Sequence, residues 1–167
     1  MIKPSVDKRS VFCYTKLGME NYKTQLEKNG VIAFVPGGNS MWPTLKNRGQ
    51  SVIIVKKEQK LKALDVAFYQ RADGTFVLHR VIKVTDFGYY MLGDSQVNPE
   101  KVEEEQVFGV MQGFYSGKKY IECTDEKYIE SVKKWYSNPK RRKRKLKFFY
   151  LRVAIKRRLK KLFCKGK

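Results

Sequence analysis

A chain of 167 residues holds one domain with a sizeable core but not two, so a single body with tails is expected. Its 42% hydrophobic and 13% aromatic residues exclude a disordered chain, and no run of about 18 apolar residues offers a membrane-spanning helix. The net charge of +20 is unevenly placed: residues 140–167 hold 15 Lys and Arg and no acid, so the charge belongs mainly to a tail.

In chain order, Thr15 to Lys28 contains helix formers with Leu17, Tyr22 and Leu26 roughly on one side, and Asn29-Gly30 follows as a stop signal. Short β-rich runs come next: Val31 to Val35, Ser51 to Val55, Val66 to Gln70, Phe76 to Val84, Tyr89 to Leu92, Val107 to Tyr115 and Lys119 to Cys123. Ala72-Asp73-Gly74, Asp86-Phe87-Gly88 and Ser116-Gly117-Lys118 supply hairpin turns between them, which predicts a mostly antiparallel sheet or barrel. Thr124 or Asp125 caps a helix with Tyr128, Ile129, Val132, Trp135 and Tyr136 as its apolar stripe, and Asn138-Pro139 ends it. The expected organisation is a helical segment over 1–30, a β domain over 31–123, a packing helix over 124–138 and a basic amphipathic tail over 139–167.

Two residues stand out chemically. Ser40 follows a glycine pair and precedes Pro43, the setting of a turn in which a hydroxyl is exposed and backbone N–H groups face a substrate carbonyl. His79 is the only histidine, and period-two alternation puts it with Val77 and Val81 on one apolar strand face. Gly93-Asp94-Ser95-Gln96-Val97-Asn98-Pro99-Glu100 adds carboxylates able to orient an imidazole. Cys13, Cys123 and Cys164 are odd in number, far apart and without metal-ligand spacing. They read as reduced thiols, and no cofactor is called for.

Taken in order, these blocks resemble the superfamily of serine peptidases that includes signal peptidase I and the LexA-like self-cleaving proteins. Ser40-Met41-Trp42-Pro43-Thr44-Leu45 is similar to the Ser-Met-x-Pro-Thr-Leu box of signal peptidases. Leu64-Asp65-Val66-Ala67-Phe68 resembles the Gly-Asp-Ile-Val-x-Phe strand, with Leu64 where glycine is usual. His79-Arg80-Val81-Ile82 stands where most bacterial members have Lys-Arg-Val-Val, as in the endoplasmic-reticulum-like branch. Gly93-Asp94 and Val107-Phe108-Gly109-Val110 resemble the Gly-Asp-Asn block and the last core strand. The resemblance spans about residues 31 to 114.

It implies a mainly β, LexA/signal-peptidase-like fold and a serine endopeptidase, with Ser40 as nucleophile, His79 as base, and Asp94 or alternatively Glu100 in the third role. It also implies oxyanion and substrate binding at Gly38, Asn39, Met41 and Pro43, and a preference for small residues before the cut. The chain departs from the family in having no apolar anchor before the serine box, and in having Gly38 where many members have an oxyanion-binding serine. Backbone N–H groups, including that of Ser40, would then take that role.

The tail reads three ways. Phe148, Leu151, Ile155, Leu159 and Leu162 recur at helical spacing among Arg141, Arg142, Arg144, Arg152, Arg157 and Arg158, as in a helix that lies on an anionic membrane. A polybasic run also neutralises nucleic-acid phosphates, and an apolar stripe also packs on a protein body. With no secretory-signal pattern in MIKPSVDKRS, the expected place is the cytoplasm, at the inner face of the membrane where the tail docks. The rival functions are an inactive binding module of the same fold, a nucleic-acid binder acting through the tail, and a self-cleaving repressor, for which the N-terminal part is too short to hold a DNA-binding domain.

Overall fold

The computed structural model describes residues 21–46 and 49–163, with side chains from Tyr22 to Arg158. Cys13, Leu17 and Cys164, and the predicted helical stretch before Asn21, lie outside the described residues. The chain divides after Ile129 into two compact units.

The first unit is mainly β. Helix α1 (Asn21–Asn29) precedes strands β1 (Val31–Phe34), β2 (Val52–Lys56), β3 (Val66–Gln70), β4 (Phe76–Thr85), β5 (Gly88–Leu92), β6 (Glu100–Glu103), β7 (Val107–Ser116) and β8 (Lys119–Glu122). They form one antiparallel sheet in the order β1-β2-β7-β3-β4-β5-β6, with β8 on β7. Long β7 is the hub: Val110 stands between Val55 of β2 and Ala67 of β3, and Gly113 between Ile53 and Glu122. The sequence pattern explains the segmentation, since each strand is a short β-branched or aromatic run closed by turn residues. At the first hairpin Asp73 Oδ1 accepts from the Thr75 N–H (2.9 Å) and Gly74 takes φ +82°. The strand over Glu100–Glu103 has no counterpart among the predicted β runs, because Glu-Lys-Val-Glu has one apolar residue to signal it; Val102 alone is buried there.

Helix α1 stops at Gly30, whose φ of +71° and N–H bond to the Leu26 carbonyl (2.9 Å) make the left-handed cap that a glycine allows. Leu26 is 1% exposed. The central core gathers Leu61, Ala67, Tyr69, Val81, Tyr89, Met91, Val102 and Val107. Helix α2 (Glu126–Tyr136) is capped by Asp125 rather than Thr124, because Asp125 Oδ1 accepts from the N–H groups of Lys127 (2.8 Å) and Tyr128 (3.2 Å).

The second unit contains the rest of α2 and helix α3 (Pro139–Phe163). Asn138 caps α3 through the Arg141 N–H (2.9 Å), with Pro139 as first helical residue, so the pure-charge run after Pro139 is itself helical. Leu146 is buried, and Phe149 and Val153 are half-buried. The Arg142 guanidinium lies 5.0 Å from the Tyr136 ring and Lys145 lies 5.9 Å from that of Trp135. The predicted stripe is not the packed one: Phe148, Leu151 and Ile155 are exposed, and the side chains of Leu159 and Leu162 lie outside the described residues. No helix among the described residues is long and apolar enough to cross a membrane.

Candidate active site

The residues after β1 form a tight turn carrying Ser40. Gly38 takes φ +83°, a conformation in which a serine at the same place would be strained. The Asn39 carbonyl accepts from the Trp42 N–H (3.0 Å) and from Ser95 Oγ (2.8 Å), and the Ser40 carbonyl accepts from the Ser95 N–H (2.8 Å). The turn is thereby fastened to the loop after β5. Ser40 is half-buried and lines a cleft of about 340 Å³ together with His79, Gly37, Gly38 and Met41. Asn39 and Pro43 are not among its described lining residues.

An aromatic wall completes the cleft. Tyr22 and Phe34 lie 5.1 Å apart, Phe34 and Phe68 5.4 Å, and Phe76 stacks on Phe68 at 5.4 Å.

Strand parity decides which carboxylate meets His79. Ala67 pairs with His79 and Tyr69 with Val77, so His79 and Tyr69 are diagonal neighbours on one face. Val81 pairs with Met91 and Met91 with Glu100, which brings Glu100 to the same face two strands away. Accordingly Glu100 Oε1 lies 2.8 Å from His79 Nδ1, and Tyr69 Oη lies 3.0 Å from the same nitrogen and donates to Glu100. Arg71, two residues beyond Tyr69, grips the carboxylate with two N–H bonds of 2.8 Å.

Asp94, the first choice for that place, is elsewhere. Arg80 and its strand partner Leu92 face away from His79, and Asp94 accepts from Arg80 Nε (2.8 Å) and Nη2 (2.7 Å) with both residues fully buried. Thr44 Oγ1 donates to Asp94, and Arg80 Nη1 donates to the Leu64 carbonyl and to Tyr128 Oη. Asp94 therefore anchors the serine turn to β4 and does not touch the imidazole.

The electrostatics follow from these contacts. Burial works against a charged Glu100, but the bonds from Arg71 and Tyr69 more than offset it and hold the carboxyl at about 2. Ionised Glu100 can only accept, so the proton of the neutral imidazole sits on Nδ1 and the lone pair on Nε2. Burial pushes the His79 pKa below its ordinary value, with Glu100 pulling the other way. For Arg80, burial likewise opposes the charge and Asp94 outweighs it, raising the guanidinium well above its ordinary value. No cluster of three or more His, Cys, Asp or Glu among the described residues could hold a metal ion.

No family profile, curated protein or solved structure matches the chain. The geometry and the sequence blocks therefore carry the functional reading by themselves. Sequence reasoning passed over Tyr69, Arg71 and the Arg80–Asp94 pair. The alternation Ala67, Tyr69, Arg71 along β3 was the available signal for the first two. A strand arginine adjacent to His79, bound by parity to the opposite face and in need of an acid, was the signal for the third.

Proposed function

We propose that this chain is a serine endopeptidase of the signal-peptidase-like, LexA-like type, using Ser40 and His79 with Glu100 as orienting carboxylate. The observation that carries the reading is that Ser40 and His79 line one cleft while Nδ1 of the imidazole is held by an ionised glutamate. The blocks around Ser40, His79 and Asp94 support the same reading, as do the Ser95 N–H bond to the Ser40 carbonyl and the Arg80–Asp94 pair, which hold those three segments together. Leu64 adds to it: this residue, where relatives have glycine, has φ +79°, a conformation suited to glycine.

In the mechanism, Ser40 Oγ attacks the peptide carbonyl carbon as His79 Nε2 takes its proton. The imidazolium, steadied by Glu100, then gives that proton to the leaving amine. Water attacks the acyl ester, its proton passes to the same nitrogen, and Ser40 is restored. Backbone N–H groups of the 38–40 turn would receive the oxyanion, and the aromatic wall suits the apolar side chains of an extended peptide.

The test is labelling with a fluorophosphonate, read by intact mass, alongside hydrolysis of a peptide library. Wild type should gain one adduct at Ser40, and Ser40→Ala none. Ser40→Ala and His79→Ala should each lose nearly all hydrolysis, with the double variant little worse, because residues acting as one unit are not additive. Retention of more than about a tenth of the activity by His79→Ala would reject the base assignment. A folded wild type that takes no label and cleaves nothing would be an inactive binding module.

A further inference from the structure

Helix α3 has two apolar sides. Leu146, Phe149 and Val153, three and four residues apart, form a buried or half-buried side. Phe148, Leu151 and Ile155 form a second stripe, 62%, 55% and 48% exposed, and the sequence continues its spacing with Leu159 and Leu162. The helix carries 13 Lys and Arg and no Asp or Glu. Of these, Arg144, Arg152 and Arg158 are exposed and fall beside the second stripe by helical spacing.

We propose that this exposed face of α3 docks on an anionic phospholipid surface, with Phe148, Leu151 and Ile155 entering the acyl boundary and the flanking arginines meeting headgroup phosphates. Two terms act together there: apolar burial, which salt does not screen, and charge attraction, which salt does. A nucleic acid would satisfy the cations but leave the apolar stripe in water. A second copy of this chain would bury the stripe but bring two acid-free cationic helices together. An anionic bilayer answers both features, and the long Arg and Lys stems allow their charges to stay at headgroup level while the stripe enters.

The experiment is sedimentation of the full chain with phosphatidylcholine vesicles, with and without phosphatidylglycerol, at about 0.15 M salt. Binding is expected only with phosphatidylglycerol, and Ser40→Ala should bind as wild type does, so the result is independent of the peptidase reading. Leu151→Asn with Ile155→Asn keeps every cation and should weaken binding at least about tenfold. Both positions are exposed, so the thermal midpoint should not move. Arg152→Gln with Arg158→Gln should weaken binding about tenfold and flatten its salt dependence. No binding to phosphatidylglycerol vesicles would overturn the proposal. So would an asparagine pair that binds like wild type while duplex DNA strips both from the vesicles, which would make α3 a polyanion binder.

Discussion

His79 shows how neighbours set the working range of one group. Burial lowers its pKa, so under the proposed mechanism the rising limb of kcat/KM should centre below the ordinary histidine value of about 6.5. Glu100 is the main upward influence, so Glu100→Gln should move that limb further down in pH. It should also reduce kcat/KM at least about a hundredfold, because the amide no longer enforces the Nδ1–H tautomer. Tyr69→Phe keeps the buried ring and loses one hydroxyl bond to Glu100, so its cost should stay within about tenfold. A pH profile and rate unaltered in Glu100→Gln would remove the carboxylate from the mechanism. The same residue enters acid stability. Its pKa is lower folded, at about 2, than the ordinary 4.5, so its stabilisation is complete above 4.5 and is lost as pH falls toward 2. Thermal midpoints measured across that window should fall less steeply in Glu100→Gln than in wild type.

At the scale of elements, two carboxylates that look alike in sequence do different work because adjacent strand residues face opposite ways. Asp94→Asn leaves the Arg80 guanidinium buried without its partner, which should cost about 3–5 kcal/mol in a urea titration. Glu100, 28% exposed, should be far less costly to fold when replaced by Gln, so the two variants separate a fastening role from the proposed catalytic one. The turn before β3 offers a second check. Leu64 is the one non-glycine residue with positive φ among those described, a conformation that costs about 1–2 kcal/mol in an L-residue. Leu64→Gly should therefore leave the thermal midpoint nearly unchanged, where a leucine in ordinary backbone would lose stability; a large drop would mean that the Leu64 side chain matters more than its strain. Strand positions were legible throughout Val66–Gln70 and nearly so elsewhere, because β-branched runs and Asp-Gly or Ser-Gly turns are local signals. Strand β6 was not, because its place depends on Met91 and Tyr89 beside it and little on its own residues.

Across the whole molecule, charge and fold are divided between the units. The run Lys140 to Lys147 places like charges four residues apart at Lys140/Arg144, Arg141/Lys145 and Lys143/Lys147, each pair costing about 0.2–0.5 kcal/mol at low salt. Helical ellipticity of the full chain should therefore deepen as salt is raised from about 0.01 to about 1 M, where the Debye length shrinks from about 30 to about 3 Å. A spectrum indifferent to salt would mean that packing of Leu146 and the rings against Arg142 and Lys145 dominates over repulsion.

The sequence by itself determined the mainly β body, the turn that carries Ser40, the strand that carries His79 and the cationic helix-forming tail, since each is written in neighbouring residues. It left Asp94 and Glu100 as rivals, and it did not say which side of α3 would be covered. Both were decided by tertiary structure. The first needed the register of β4, β5 and β6, two successive strand pairings that together set which side chains share a face. The second needed the folded structure, because Leu146 and Leu151 are equally apolar and only packing makes one buried and the other exposed.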